Sequence, residues 1–340
     1  MNILIDLVHP SDVNLFKNAI SQLSKDGHKI FITLRERGKL YLIAKDELKN
    51  FELVLIGKHE HGFINKVIAL IKREIDLYRY IKRNKIDISV NQGFSSVLSC
   101  RFIGIPFLQF EDDFEYKLAF YYNKLLATRD IMPDYIPTKG RNIYKYHGFK
   151  ELAYLHPSVF IPNKGILSEL KITQFRYVFI REISNISLNY SNRTSYLDEI
   201  VNFINAKDLQ IVLSLEDKSL SGHYKDRCII LQEPVQDIYS LMANALLCIS
   251  SGDTMAREAC LLSTPSIYTG GREMLMNTPL IQKGIMYKED SLEMINERLR
   301  YMLKDDNALS IRSGAKKAIG EEWEYTTDVI LKHIKDFNKA

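Results

Sequence analysis

Short β-rich runs alternate with longer amphipathic stretches along the whole chain, and this alternation constrains the fold more than any other feature. In the first half, the runs that predict strands are residues 2–8, 29–34, 52–56, 86–91 and 106–110. In the second half, they are residues 177–181, 210–215, 228–231, 246–250 and 266–268. Strands that alternate with helices predict a parallel sheet covered by helices. The sequence therefore predicts an α/β protein with two Rossmann-like domains that face a central cleft.

The length of 340 residues suits two domains of about 100–200 residues each. Residues 154–165 contain two prolines and a glycine without sustained periodicity, which is typical of a linker. We therefore predict an N-terminal domain over residues 1–155 and a C-terminal domain over residues 166–320. Residues 321–340 predict a C-terminal helix, broken from the preceding one at Gly320, that can pack across both domains.

The composition excludes several classes of protein. A hydrophobic fraction of 46% and a charged fraction of 26% are those of a globular protein, and the net charge of +4 gives no sign of a nucleic-acid partner. Asp6 follows only three apolar residues, without a basic segment before them, so the start of the chain does not resemble a signal peptide. No apolar run approaches the roughly 20 residues of a membrane span. These features predict a cytoplasmic protein with reduced, buried cysteines at positions 100, 228, 248 and 260.

Residues 246–260 combine an apolar strand, a turn of small residues and a helix. In an open parallel sheet, ligands bind beyond the carboxyl ends of the strands, and a helix that starts there offers free amides to a phosphate. Glycine at position 252 permits close approach of the backbone. The residues that we predict to contact a diphosphate here are Ser250, Ser251, Gly252, Asp253 and Thr254.

Two carboxylates in this segment have alternative interpretations. Asp253 would repel a diphosphate, so helix capping explains it more readily than ligand contact does. Glu258 lies further along the helix, where a carboxylate can accept hydrogen bonds from both hydroxyls of a ribose. A capped helix without any ligand is the alternative for the whole segment.

Four segments together carry a resemblance to known proteins. They are the turn and helix at 250–260 with the following Leu261–Ile267, then Asp6–Lys17, Gly27–Ile30 and Lys150–Pro157. In order and spacing they resemble the GT-B glycosyltransferase superfamily. More closely, the chain resembles the family called domain of unknown function 354, and it is also similar to nucleotide-sugar 2-epimerases. The resemblance covers almost the whole chain.

The resemblance implies a nucleotide-sugar donor in the C-terminal domain and an acceptor on the N-terminal domain. GT-B enzymes of the metal-independent kind stabilise the leaving diphosphate with a helix dipole and basic side chains, so neither a metal nor a cofactor is expected. Arg181, at the end of a predicted strand, and Arg272, after the Gly270–Gly271 turn, are the candidates for that role. Surface ion pairs are the alternative for both arginines.

His9 and Asp12 follow the first predicted strand and are the candidates for a catalytic base. Relatives usually carry histidine at the position of Asp12, so a carboxylate base would be a departure from their pattern. Asp12 can instead cap the first helix, and His9 can simply pack against the turn.

Two other predicted strand ends carry polar residues. Gln92 and Gly93, in the segment 92–96, follow one strand and could hydrogen-bond a sugar. Glu111, Asp112 and Asp113 follow the next strand. Adjacent carboxylates point in different directions, and neither a nearby histidine nor a further acidic cluster completes a ligand shell for Mg²⁺ or Mn²⁺. We therefore interpret Asp112 as an acceptor-side residue, or a structural one, and not as a metal ligand.

Residues 63–85 interleave seven bases with apolar residues at helical spacing. A basic amphipathic helix can lie on an anionic membrane, which would suit a lipid-linked acceptor. A helix that covers the sheet with a solvated basic face is the alternative.

We therefore predict a glycosyltransferase that moves a sugar, UDP-linked in our leading hypothesis, to a glycan or lipid-linked acceptor in surface-polysaccharide biosynthesis. Two alternatives stay open: an enzyme like UDP-N-acetylglucosamine 2-epimerase, and a non-catalytic protein that binds a nucleotide-sugar or glycan. A dinucleotide-dependent oxidoreductase fits less well, because the first predicted strand leads into His9-Pro10-Ser11 and not into a G-x-G-x-x-G turn.

Overall fold

The computed structural model of the chain describes residues 1–58, 60, 62–93, 96–112, 117–184, 194–232, 235 and 237–337. The chain divides into two compact units. The N-terminal unit consists of Met1–Tyr154 with Glu324–Ala340, and the C-terminal unit is Leu155–Trp323. Each unit contains its own parallel sheet and its own core.

The N-terminal unit is built on a parallel sheet. Its strands are β1 (Asn2–Leu7), β2 (Lys29–Glu36), β3 (Leu53–Lys58), β4 (Ile88–Gln92), β5 (Phe107–Phe110), β6 (Arg129–Pro133) and β7 (Ile143–Tyr146). Its helices are α1 (Pro10–Lys25), α2 (Leu40–Glu47), α3 (Phe63–Asn84), α4 (Val97–Ile103), α5 (Lys117–Leu126) and α6 (Leu152–Leu155). The last of these crosses the boundary between the units at Tyr154 and Leu155.

The strand order in this sheet is β3-β2-β1-β4-β5-β6-β7, and neighbouring strands pair in parallel. The central strand β1 is apolar on both faces, and Ile3, Leu4 and Ile5 have no exposed surface. Such continuous apolar runs are typical of parallel strands that helices cover on both sides. The order reverses between β1 and β4, so a crevice forms beyond the carboxyl ends of these two strands.

The C-terminal unit repeats this plan. Its strands are β8 (Tyr177–Glu182), β9 (Gln210–Leu215), β10 (Ile229–Ile230), β11 (Leu247–Ser250), β12 (Ser266–Tyr268) and β13 (Met286–Lys288). Its helices are α7 (Gly165–Glu169), α8 (Leu197–Asn205), α9 (Ser221–Tyr224), α10 (Ile238–Asn244), α11 (Asp253–Leu261), α12 (Thr278–Gln282), α13 (Leu292–Met302) and α14 (Asn307–Glu321). Two short 3₁₀ turns lie at Lys218–Leu220 and Leu275–Asn277.

The second sheet has the order β10-β9-β8-β11-β12-β13, also parallel. Counted along the chain within each unit, the first six strands of both sheets follow the Rossmann order 3-2-1-4-5-6. The switch point here lies between β8 and β11. The predicted fold class, two Rossmann-like domains, is confirmed.

All ten predicted strands are present, with ends shifted by a few residues. Three further strands, β6, β7 and β13, were not predicted. They are three to five residues long, and β6 contains Asp130 and Pro133, so no alternating pattern marks them in the sequence.

The helix break predicted at Gly320 is absent. Helix α14 runs through Gly320 to Glu321, because one glycine inside a helix costs only about 1 kcal/mol. The last helix, α15 (Thr326–Lys335), lies in the N-terminal unit, where it packs against α1. The hydroxyls of Thr326 and Thr327 donate to the carbonyls of Phe149 and Ala153 at 2.6 and 3.0 Å.

The four cysteines are buried and free, as predicted. Burial raises the pKa of Cys100 and Cys260 to about 12, so both are thiols at neutral pH. Within the ranges that the structure describes, no helix is long and apolar enough to cross a membrane.

Candidate functional site

The polar residues predicted from the sequence collect at the carboxyl ends of the central strands of each sheet. In the C-terminal unit, Arg181 lies near the end of β8, and the Ser250–Gly252 turn leaves β11. In the N-terminal unit, His9 follows β1 and Gln92 ends β4. The two switch points are therefore the places to look for a ligand.

The two serines after β11 build the turn itself. The Ser250 hydroxyl donates to the carbonyl of Gly252 at 2.8 Å and accepts from the Gly252 amide at 3.1 Å. The Ser251 hydroxyl accepts from the Ile183 amide at 2.9 Å, and the Ser251 amide donates to the Arg181 carbonyl at 3.0 Å. Both side chains are buried. The Ser250 hydroxyl, predicted to contact a diphosphate, thus closes the turn onto Gly252, and the Ser251 hydroxyl, predicted likewise, ties the turn to the end of β8.

The turn leads into a helix whose first amides lie outside its internal hydrogen bonds. Gly252 occupies the N-cap position of α11, and no side chain from the described part of the chain caps it. The first intrahelical bond runs from the Ala256 amide to the Gly252 carbonyl. The amides of residues 253–255 therefore have no intrahelical acceptor, and the positive end of the helix dipole lies with them. Thr254 is exposed in this first turn, so the helix start is accessible.

Asp253 is not the helix cap that its side chain suggested. It is the first residue of α11, and its carboxylate lies 3.5 Å from Nη1 of Arg257 and 3.9 Å from Nη1 of Arg272. Arg257 is buried and donates to Oδ1 of Asn277 at 3.0 Å. Arg272 is partly exposed. The aspartate thus links the helix start to the basic residue on the turn after β12.

Gly270 brings that second turn into direct contact with the first. A Cβ at this position would overlap the Ser251 carbonyl oxygen and would lie 2.6 Å from the Tyr268 hydroxyl. A Cβ at Gly271 would meet nothing within 4 Å. Only glycine therefore fits at position 270.

Glu258 has a partner that the sequence did not reveal. The Tyr239 hydroxyl, on α10, donates to Oε1 of Glu258 at 3.1 Å, and the glutamate is 7% exposed. Tyr239 carries no motif that would have marked it, because the pairing depends on how α10 and α11 pack.

Arg181 points along the sheet. Its guanidinium donates to the Ser214 hydroxyl at 3.0 Å and lies 4.0 Å from a carboxylate oxygen of Glu216. The ion pair given as the alternative for this residue is present, as a long contact.

The N-terminal unit closes its first helix start with side chains. Oδ2 of Asp12 accepts from the amides of Val8 and His9, each at 2.8 Å, and Nδ1 of His9 accepts from the Ser11 amide at 3.3 Å. Together with Pro10 this forms a capping box at the start of α1. The capping alternative for Asp12 is therefore realised in the structure.

Burial inverts the usual order of proton affinity in this pair. Burial raises the pKa of Asp12 to about 7, against the opposing effect of its two amide donors. Burial, together with the positive charges of Arg37 and Lys150, lowers the pKa of His9 to about 4. Between these values the imidazole is neutral while the carboxyl holds a proton. Since Nδ1 of His9 accepts from an amide, the ring proton lies on Nε2.

Asp112 is held at the end of β5 by two partners. Nε2 of Gln92 donates to its Oδ1 at 2.7 Å, and Nζ of Lys150 lies 2.8 Å from its Oδ2. Lys150 was not predicted as a site residue, although it begins one of the segments that carry the family resemblance. Of the neighbouring predicted residues, Asp113, Phe94 and Ser95 lie outside the described residues.

Gly93 adopts a φ of 103°, which side-chain-bearing residues rarely adopt. It thus allows the sharp turn that leaves β4 beside Val8, whose Cγ2 would lie 3.5 Å from a Cβ at this position.

Comparison with known proteins decides the family. The model of a family described as protein of unknown function (DUF354) matches residues 1–337. The chain belongs to this family. An uncharacterized protein of Methanocaldococcus jannaschii is 27% identical over 312 residues, which are 87% of this chain and 90% of that protein.

The DUF354 chain is also similar to solved structures. UDP-N-acetylglucosamine 2-epimerase from Rickettsia bellii matches with a TM-score of 0.75 at 14% identity, over 100% of this chain and 97% of that one. The M. jannaschii UDP-GlcNAc 2-epimerase, in complex with UDP-GlcNAc and UDP, matches with a TM-score of 0.70 at 15% identity, over 99% and 100%. Acinetobacter baumannii MurG, a GT-B glycosyltransferase, matches with a TM-score of 0.65 at 13% identity, over 99% and 100%. At these identities the likeness shows the fold, which is the GT-B fold that the sequence resemblance predicted.

Proposed function

We propose that this DUF354 chain is a cytoplasmic, metal-independent glycosyltransferase that takes its sugar from a nucleotide-sugar donor. The observation that carries the proposal is the start of α11 at the switch point of the second sheet. Amides without an intrahelical acceptor, a helix dipole and a glycine N-cap together form a site for an anion. Arg272, on the adjoining turn, adds a positive charge.

The donor contacts follow from this geometry. The diphosphate binds the amides of residues 253–255, and Ser250, Ser251 and Gly252 hold the turn that presents them. Glu258, oriented by Tyr239, accepts hydrogen bonds from the ribose hydroxyls. Arg181 and Arg272 are the basic residues for the leaving diphosphate. A UDP-linked donor is supported by the same fold binding UDP in the M. jannaschii epimerase.

We assign the acceptor to the N-terminal unit. Its polar groups at the strand ends are His9, Gln92, Gly93 and Asp112, and these suit the hydroxyls of a glycan or a lipid-linked sugar, as used in surface-polysaccharide biosynthesis. Asp12, the carboxylate with a pKa of about 7, is the candidate to accept the acceptor proton. His9 donates from Nε2 and orients the acceptor.

A 2-epimerase is the second candidate, and one observation favours it. At the start of α1, a carboxyl group able to exchange a proton near pH 7 lies beside a neutral imidazole that carries a proton on Nε2. Removing and returning a proton on a sugar needs such a pair of groups with separated proton affinities.

Calorimetric titration with UDP, GDP, CMP, TDP and their common sugars tests the donor site. Thr254→Trp fills the helix start from an exposed position, whereas a substitution at the buried Ser251 would disturb the turn itself. We expect one nucleotide to bind the unaltered chain and Thr254→Trp to weaken it at least about tenfold, a loss of about 1.4 kcal/mol. Glu258→Gln should weaken nucleotides with an intact ribose more than their 2′-deoxy analogues.

Met294→Trp, at an exposed position on α13, is the matched control and should bind like the unaltered chain. Binding of none of the nucleotides, or equal loss in Thr254→Trp and Met294→Trp, would contradict the site. Turnover then separates the activities. Release of nucleoside diphosphate that depends on an acceptor indicates transfer, and inversion at C2 of the sugar without an acceptor indicates epimerisation.

A further inference from the structure

Helix α3 exposes an apolar face. Five branched aliphatic side chains on it are between 41% and 71% exposed: Ile64, Val67, Ile68, Ile71 and Ile75. At about 100° per residue these five fall within an arc of about 100° along one side of the helix. A solvated helix face normally carries polar residues, and a contiguous apolar stripe marks a surface that binds something. We call these five residues the α3 stripe.

The opposite side of α3 is anchored in the unit, so the stripe cannot turn inward. Leu77 and Ile81 are buried there, and Arg73 is 2% exposed. The Arg73 guanidinium donates to Oδ1 of Asp6 at 2.7 Å and to the Ile56 carbonyl at 2.8 Å. Rotating the helix to bury the stripe would expose Leu77 and break a buried ion pair, which is strongly unfavourable because it leaves a buried charge without its partner.

The surface around the stripe is positively charged. Residues 63–85 contain six exposed bases: Lys66, Lys72, Arg79, Lys82, Arg83 and Lys85. Of the two acids in the segment, Glu74 turns inward and accepts from the amides of Ser96 and Ser99 at 3.0 and 3.1 Å. Asp76 pairs with Arg79 at 3.5 Å. The outward charge of the helix is therefore strongly positive.

The apolar surface continues beyond the helix. Leu55 on β3, at the end of the strand order, is 48% exposed. Leu55 and Ile68 both line a groove of about 600 Å³ between β3 and α3. Lys58 and Lys72 line the same groove, together with Glu36, Glu60 and Asp76. Nζ of Lys58 lies 3.2 Å from Oε1 of Glu60. The apolar surface thus continues from α3 to β3, whereas the excess of positive charge comes from the exposed bases on α3 and not from the groove.

We propose that this surface binds an anionic lipid bilayer, with the α3 stripe inserted at the boundary between headgroups and acyl chains. An apolar face flanked by lysine and arginine is what interfacial helices use, each base near an anionic surface adding attraction. A second copy of the chain is a poorer occupant, because pairing two such faces would oppose two sets of six bases. The inference does not depend on the donor or the reaction, since it uses none of the residues assigned to them.

Co-sedimentation of the full chain with vesicles tests whether the α3 stripe binds an anionic bilayer. Vesicles of phosphatidylcholine alone are compared with vesicles that contain 30% phosphatidylglycerol, a composition of about one anionic lipid in three. We expect binding to the anionic vesicles only, and a fall of at least about tenfold between 50 mM and 500 mM salt as the charges are screened. Ile64→Ser/Ile68→Ser/Ile71→Ser should lower the binding at least about tenfold at low salt. Lys82→Glu/Arg83→Glu should lower it similarly.

The matched control is Phe102→Ser, which removes a side chain that is 78% exposed on α4. It should bind vesicles like the unaltered chain, and all variants should keep the same melting temperature and nucleotide binding. No binding of the unaltered chain to anionic vesicles, or equal binding by the triple serine variant, would overturn the proposal. A dimer in sedimentation velocity that the triple variant loses, without lipid binding, would overturn it in favour of a second copy.

Discussion

Helices α1 and α11 both start at the carboxyl edge of a parallel sheet, but their first turns are built in opposite ways. At α1, Pro10 has no amide hydrogen, the His9 ring accepts from the Ser11 amide, and Asp12 accepts from the amides of Val8 and His9 just before the helix, which completes a capping box. At α11, the cap is Gly252, and the serines before it bond to the turn and to the end of β8 and not to the helix amides. One helix start is closed by its own side chains, and the other is suited to an external anion.

The difference separates the roles of the two sheets. A phosphate competes poorly for amides that already hold a buried carboxylate, so the N-terminal edge suits neutral hydroxyls. The C-terminal edge suits the diphosphate. This division follows from local bonding in each unit taken by itself.

The largest expected effect comes from a substitution that displaces the turn before α11. In Gly270→Ala the added methyl group overlaps the Ser251 carbonyl and approaches the Tyr268 hydroxyl. We expect a displacement of the 250–252 turn that weakens nucleotide binding about a hundredfold, and a loss of about 2 kcal/mol in the free energy of unfolding. Isothermal titration and urea denaturation measure the two effects. Gly271→Ala, where a Cβ meets nothing, is the control, and equal behaviour of the two alanine variants would show that the turn does not depend on this contact.

The strand ends that hold these turns could be predicted, but their internal bonding could not. The alternation of strands and helices in the sequence is enough to place Ser250–Gly252 and His9 at sheet edges. The Ser251 hydroxyl, however, bonds to Ile183, 68 residues away, and Tyr239 reaches Glu258 from another helix. Such contacts depend on tertiary packing, which spacing along the chain does not encode.

Asp12 shows the same limit for a titratable group. The sequence offered both a cap and a base at this position, and a place just after the first predicted strand is compatible with both. The packing of α1 against the sheet buries the carboxyl and so raises its pKa, while its two capping bonds oppose that rise.

The buried Asp12 carboxyl at the start of α1 should make the stability of the fold depend on pH. The pKa of Asp12 is raised from 3.8 to about 7 in the folded chain, so the folded state binds the proton more tightly than the unfolded state does. The free energy of unfolding therefore loses a contribution as the pH rises from about 4 to about 7, at up to about 1.4 kcal/mol for each pKa unit. Asp12→Asn keeps an acceptor oxygen without the charge and should remove this contribution.

Urea denaturation at pH 5 and pH 8 measures how the free energy of unfolding changes with pH. The pKa of His9 is lowered to about 4, so below pH 6.5 His9 changes the free energy of unfolding with the opposite sign. Burial raises the pKa of Asp130 to about 7, so Asp130 changes it with the same sign as Asp12. The informative quantity is thus the difference in pH dependence between Asp12→Asn and the unaltered chain, with Asp130→Asn as the control for a carboxyl away from the helix start. An unchanged pH dependence in Asp12→Asn would contradict the assignment.

The smallest expected effect concerns the acid that α11 does carry. Asp253 lies in the first turn, as Asp12 does in α1, but its carboxylate is directed to Arg257 and Arg272 at 3.5 and 3.9 Å. If the helix amides are the diphosphate site, Asp253 repels the ligand more than it helps by holding Arg272, since both ion pairs are long. We expect Asp253→Asn to tighten binding of the nucleoside diphosphate about threefold at low salt, the scale of one charge at a helix terminus, and less at high salt. Arg272→Gln should weaken binding by a similar factor. If Asp253→Asn instead bound the nucleoside diphosphate tenfold more weakly, the placement of Arg272 by Asp253 would be the main source of affinity. The free amides at the start of α11 would then not explain the difference between the two units.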